Sequence, residues 1–136
     1  MRILRRKNMY KEAMFIIYVK DQEKSKKSYE SLLKLSPRLH VPGMTEFQVS
    51  ETTVLGLMPE EGIARILGSK ITHPKESNGA SRCELYLYVD NPDEYLDGLV
   101  ELGGKEVSKG EIRNWGDYVS YGLDLDGYVV AFAKRD

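Results

Sequence analysis

Seven side chains in this sequence have the types and spacing to build a binding or reactive surface: Met14, Ile16, Tyr18, Glu84, Tyr86, Tyr88 and Trp115. Side chains two apart on a strand share a face. Met14, Ile16 and Tyr18 therefore face one way from their strand, and Glu84, Tyr86 and Tyr88 one way from theirs. Such a face is apolar and aromatic with one carboxylate, which is how small-molecule pockets are usually built. The competing reading packs the same tyrosines against helices. Glu84 would act as an acid–base group or as the anchor for a polar part of a ligand. Burial among Tyr86, Tyr88 and Trp115 would favour its protonated form. Otherwise it is a strand-edge carboxylate, in water or paired with Arg82 or Arg113. Trp115, the sole tryptophan, would stack on a ligand at the rim, or else cover the core or a subunit contact.

Other chemistry is poorly supplied. One cysteine, Cys83, excludes a disulfide framework and a multi-cysteine zinc site, and no histidine lies near it to activate a nucleophile. His40 and His73 are the only histidines. Asp124 and Asp126 before Gly127 resemble a calcium loop only superficially, because its remaining ligands are missing, so a hairpin turn is expected there. Lys24, Lys26 and Lys27 read as a solvated helix face. Twenty basic residues against 21 acidic ones leave a net charge of -1, which excludes a globally basic nucleic-acid binder.

The elements that must position these residues come in duplicate. Phe15-Ile16-Ile17-Tyr18-Val19 is an apolar, β-branched and aromatic run, and Leu85-Tyr86-Leu87-Tyr88-Val89 repeats it 70 residues later. Each run leads into a helix. Asp21 caps the first, and Asn91, with Pro92 and Glu94, caps the second at the same 70-residue offset. Tyr29, Leu32 and Leu33 give the first helix an apolar face; Tyr95, Leu96, Leu99, Val100 and Leu102 do so for the second, which Gly103-Gly104 ends. Three strands follow in each half: Leu39–Val41, Thr45–Val49 and Thr52–Met58, then Lys105–Ser108, Tyr118–Leu123 and Tyr128–Ala133. Each half thus reads β-α-β-β-β. The fold class expected is α+β: two tandem βαβββ modules forming a cupped mixed sheet with helices outside. The modules cover about 14–58 and 84–134, with a linker at about 59–83 and an N-terminal arm at 1–12, all in one domain. The linker's later part, His73 to Ser81, reads as polar and mobile, and Gly62–Ile71 reads as either a short helix or a strand.

Three motifs carry a resemblance to a known family. Tyr18-Val19-Lys20-Asp21 leads to Ser25-Lys26-Lys27-Ser28-Tyr29-Glu30-Ser31-Leu32-Leu33; Leu102-Gly103-Gly104 ends the second helix; Trp115-Gly116-Asp117 precedes Asp124-Leu125-Asp126-Gly127. In this order the chain resembles the glyoxalase / bleomycin-resistance / extradiol-dioxygenase (vicinal oxygen chelate) superfamily over about residues 14 to 134. Ser28, Lys34 and Leu125 depart from its usual Phe, Gly and Pro. The resemblance implies a divalent ion held by residues on the first and last strand of each half. Those positions fall on Met14 and Glu84, near Leu55 or Leu57, and near Ala131, and only Glu84 is a ligand for such an ion. No cofactor is therefore expected. The expected function is binding of a small hydrophobic or aromatic molecule between the modules, as in the drug-sequestering branch. A metal-dependent lyase, isomerase or dioxygenase is the alternative.

No run reaches the roughly 18 apolar residues of a membrane helix, and the basic opening lacks the apolar core of a secretory signal. The expected setting is cytoplasmic, with a small-molecule ligand, no nucleic acid, no membrane, and a homodimer as the resemblance implies.

Overall fold

A computed structural model describes residues 10–135; residues 1–9 of the expected N-terminal arm lie outside the described residues. The first module runs β1 (Ala13–Val19), α1 (Gln22–Leu33), β2 (Leu39–Val41), β3 (Met44–Gln48) and β4 (Thr53–Pro59). A connecting helix, α2 (Glu60–Leu67), and two short 3-10 turns lead to the second module. It runs β5 (Glu84–Tyr88), α3 (Pro92–Glu101), β6 (Lys105–Ile112), β7 (Tyr118–Leu123) and β8 (Val129–Lys134). The segment left open between helix and strand is thus helical. Strand β6 extends four residues beyond expectation, with register shifts against β7.

Each module is a four-stranded mixed sheet, in the orders β1-β4-β3-β2 and β5-β8-β7-β6. The first strand of each runs parallel to the last, because the helix between them carries the chain back before the remaining strands fold antiparallel. The fold is therefore α+β and built of two βαβββ modules. Strands β1 and β5 each end a sheet, and among the described residues no ladder joins them.

Local chemistry sets the helix ends. The Asp21 carboxylate accepts from the Lys24 amide at 3.0 Å, and the Asn91 side-chain oxygen from the Glu94 amide at 3.3 Å. Lys34 closes α1 in the left-handed conformation at φ 58, where glycine is unstrained. Lys34→Gly should raise stability by about 0.5 kcal/mol in a urea melt, the relief of strain being partly offset by loss of the cation–π contact with Tyr95.

One core serves both modules. Val19, Leu32, Phe47, Leu55 and Leu57 meet Leu96, Leu99, Val130 and Phe132 beneath the two helices. The β7–β8 turn of the second module clasps the first. Asp124 Oδ1 accepts from the amides of Asp126 (2.9 Å) and Tyr128 (2.8 Å), which forms the turn, while Oδ2 accepts from the Tyr29 hydroxyl at 2.5 Å. Asp126 accepts from the Lys20 amide at 2.9 Å and from the Ser25 hydroxyl at 3.1 Å. The motif expected to be a hairpin is one, and both its carboxylates are used within the protein. Gly127, at φ +88, has its α-carbon so close to the connecting segment that a Cβ would lie 2.7 Å from the Gly79 carbonyl.

Candidate functional site

The free edges of β1 and β5 bound a cleft of about 640 Å³. Ile16, Ile17 and Val54 line it from the first module, and Leu85, Tyr86 and Tyr88 from the second. Glu84 stands at the start of β5 and Tyr128 beside it. The alternation read from the sequence holds on β1: a side chain at Gly56 would meet Ile16 Cγ1 at 2.9 Å and Met14 Sδ at 3.3 Å, so both lie on the same face. Glycine there lets these side chains, with Met44, lie close against the sheet.

The wall from the second module is fixed by a residue to which the sequence reading gave no role. Asp117 follows a tight turn at Gly116 and immediately precedes β7. One of its oxygens accepts from both the Tyr86 and Tyr88 hydroxyls, at 2.7 Å each. The Trp115 indole N–H donates to the Tyr86 hydroxyl at 2.8 Å. The two tyrosine rings meet edge to face at 5.5 Å, and the Arg135 guanidinium lies 3.9 Å from the Tyr88 centroid. Tyr121 extends the wall beneath the Arg113 guanidinium. The clue to Asp117 in the chain is its place in the Trp115-Gly116-Asp117 motif just before a strand, which carries the resemblance but assigns the carboxylate no partner.

These contacts set protonation. Desolvation pushes the Tyr86 phenol up to about 12, and the bond to Asp117 raises that of Tyr88. Both phenols are therefore neutral donors at ordinary pH, not bases. The hydroxyls of Tyr86 and Tyr88 in turn hold the Asp117 carboxyl below its usual value. The folded state thus binds this proton less tightly than the unfolded chain. The stabilisation from Asp117 is present above the ordinary carboxylate pKa and lost as pH falls through the depressed folded value. Trp115 emission should shift in that acid window in the native protein and stay flat in Asp117→Asn, read by fluorescence against pH.

The expected site residues divide. Ile16, Glu84, Tyr86 and Tyr88 line the cleft together, and Trp115, 59% exposed, joins through Tyr86. Met14 lies on the same face of β1 but outside this lining. Tyr18 lines a neighbouring polar crevice of about 390 Å³ beneath the Ser77–Ser81 segment. Glu84 is exposed rather than buried among aromatics, because it begins an edge strand. Phe15 and Tyr128 also line the cleft and were not expected there.

Leu55 and Leu57, taken as positions on the concave face, instead point into the core at 2% and 0% exposure; Val54, Gly56 and Met58 hold that face of β4. On the second module the matching positions are Val129, Ala131 and Ala133. Glu84 is then the only carboxylate these four strands turn to the concave face, and they turn no histidine there. His40 bonds Thr45 and Glu23, and His73 bonds Glu61, all away from the cleft. Among the described residues no three His, Cys, Asp or Glu side chains converge. The donor set does not fit a hard or borderline divalent ion.

No family model matches the chain, and no curated protein matches it. Solved structures do. It is similar to a glyoxalase-related enzyme from Fulvimarina pelagi, at 19% identity and TM-score 0.75, covering 90% of this chain and 86% of that one. It is similar to a glyoxalase/bleomycin resistance protein/dioxygenase family enzyme from Burkholderia phytofirmans PsJN, at 12% and 0.74, covering 89% and 95%. A glyoxalase/bleomycin resistance protein from Albidiferax ferrireducens T118 matches at 21% and 0.66, covering 90% and 98%. The chain has the fold of the glyoxalase/bleomycin-resistance/dioxygenase superfamily, as its motifs led us to expect. At these identities the likeness is one of fold. No helix among the described residues is long and apolar enough to cross a membrane.

Proposed function

We propose that the chain binds a small hydrophobic or aromatic molecule in the cleft between its modules and needs no metal to do so. The observation that carries this is the cleft itself: apolar strand edges on one side, and on the other a tyrosine wall whose hydroxyls are already tied to Asp117. Phenols held this way lose little freedom when a ring packs on them, and that lowers the cost of binding. Glu84 at the mouth is the polar anchor. Both modules contribute, so the chain acts as one domain. The same reading makes it a cytoplasmic homodimer with no nucleic-acid or membrane partner, and sedimentation would check its mass in solution.

Titration with anilinonaphthalene sulfonate, read by quenching of Trp115, should saturate. Tyr86→Ala and Ile16→Glu should each weaken it by about tenfold or more, that is, by at least about 1.4 kcal/mol. A linear, unsaturating response in the native protein would sink the proposal.

Similarity to a glyoxalase-related enzyme and to a glyoxalase/bleomycin resistance protein/dioxygenase family enzyme supports a second reading: a metal-dependent lyase, isomerase or dioxygenase. It needs ligands from outside the four strands, such as a partner chain. A stoichiometric divalent ion in the purified protein, lost in Glu84→Gln, would decide for it.

A further inference from the structure

Tyr128 lies just before β8, beside the start of β5, because the next residue, Val129, pairs with Glu84. Its hydroxyl crosses to the other module. It donates to the Tyr18 carbonyl at 3.0 Å and accepts from the Tyr18 amide at 3.3 Å. One phenol thus satisfies both backbone groups of a residue on the free edge of β1, which is what a neighbouring strand would do. By alternation, the peptide groups of Met14 and Ile16 face the same free edge, since Ala13 bonds the opposite way, to Thr52. Those of Glu84, Tyr86 and Tyr88 face the free edge of β5, since Val89 bonds toward β8. Among the described residues, two strand edges without a ladder partner therefore look at one another across an apolar gap, an arrangement that normally zips into a continuous sheet.

We infer that Tyr128 is the spacer that keeps these edges apart, and so the residue that sets the width of the cleft. Its ring lies in the lining of the cleft and of the neighbouring crevice alike, as a partition between them. Its hydroxyl occupies the hydrogen-bonding groups at the Tyr18 end of β1, where pairing with β5 would begin. Without that hydroxyl, the amide and carbonyl of Tyr18 are released to a strand partner, and the pairing propagates toward Ile16 and Tyr86. The width of the cleft would then be set at this end by the Tyr128 hydroxyl, acting beside the β7–β8 turn that holds the Lys20 amide and Ser25 through Asp126. This deepens the ligand-binding reading and rests on it only for the second of the two measurements below.

The variant is Tyr128→Phe, which keeps the ring and removes the two bonds. Its amide hydrogen exchange is compared with the native protein at Ile16, Tyr18, Tyr86 and Tyr88. Closure predicts protection at Ile16 and Tyr86 rising by about tenfold or more. Anilinonaphthalene sulfonate binding should fall by a similar factor while the helical circular dichroism is unchanged. Faster exchange confined to Tyr18, with Ile16, Tyr86 and probe affinity unmoved, would overturn the inference. Should the variant not fold, exchange in the native protein decides. The capped Tyr18 amide must exchange more slowly than that of Ile16 on the same edge, and equal rates would reject the spacer. If the native protein fails to bind the probe, the ligand reading falls while the exchange result still stands.

Discussion

Phe132→Ala should lower the free energy of unfolding by about 3–5 kcal/mol, seen as an earlier urea midpoint with little change in slope. Phe132 is fully buried on β8 and meets Tyr95 of α3 at 5.5 Å between ring centroids. It belongs to the core in which α1 and α3 pack on both sheets, so the void would sit where the modules join. Neither sheet can collapse to fill it without shifting the other, which places the cost at the upper end of its class. Leu96→Ala, at the same core but on a helix face, should cost less, about 2–4 kcal/mol.

Asp124→Ala should cost about 2–4 kcal/mol, because it strips an acceptor from the buried Tyr29 hydroxyl and from two amides of the turn. Tyr29→Phe removes one of those bonds and should cost about 1–2 kcal/mol, leaving the turn formed. The pH profile separates charge from geometry. Burial raises the Asp124 carboxyl above its ordinary value, against hydrogen bonds from Tyr29 and the turn amides. The folded state therefore holds this proton more tightly than the unfolded chain. That contribution is fully present below the ordinary carboxylate pKa and is lost as pH rises through the raised folded value. Asp124→Asn should flatten the stability–pH curve across that window, measured by denaturant melts at closely spaced pH.

The module plan could be read from the chain because its signals are local. Asp21 and Asn91 cap the two helices at equal offsets, and the runs around Ile16 and Tyr86 alternate as strands must. The concave face was half legible. Parity grouped Ile16 with Met14, and Tyr86 with Tyr88, yet it could not choose which parity of β4 faces the core, and Leu55 and Leu57 went to the opposite side. In an apolar run both parities look alike. The contacts that organise the cleft were out of reach for another reason. Asp117 meets Tyr86 across 31 residues, Asp124 meets Tyr29 across 95, and Tyr128 meets Tyr18 across 110. Nothing in the neighbouring residues announces such pairs. Helix α2 was ambiguous because its eight residues are too few for periodicity to outweigh composition.

The exposure of β1 bears on how the chain survives its own synthesis. Ala13 to Val19 is seven residues with no charge, proline or glycine, and Phe15 remains 65% exposed in the folded protein. Such a stretch is the kind that nucleates cross-β aggregates when it emerges before its neighbours. Lys11 and Glu12 on one side and Lys20 and Asp21 on the other bracket it with charge, as gatekeepers do. Neutralising Lys11 and Lys20, and leaving the Asp21 cap and the Glu12–Arg38 pair intact, should keep the contacts of β1 with β4 and send more of the protein into inclusion bodies.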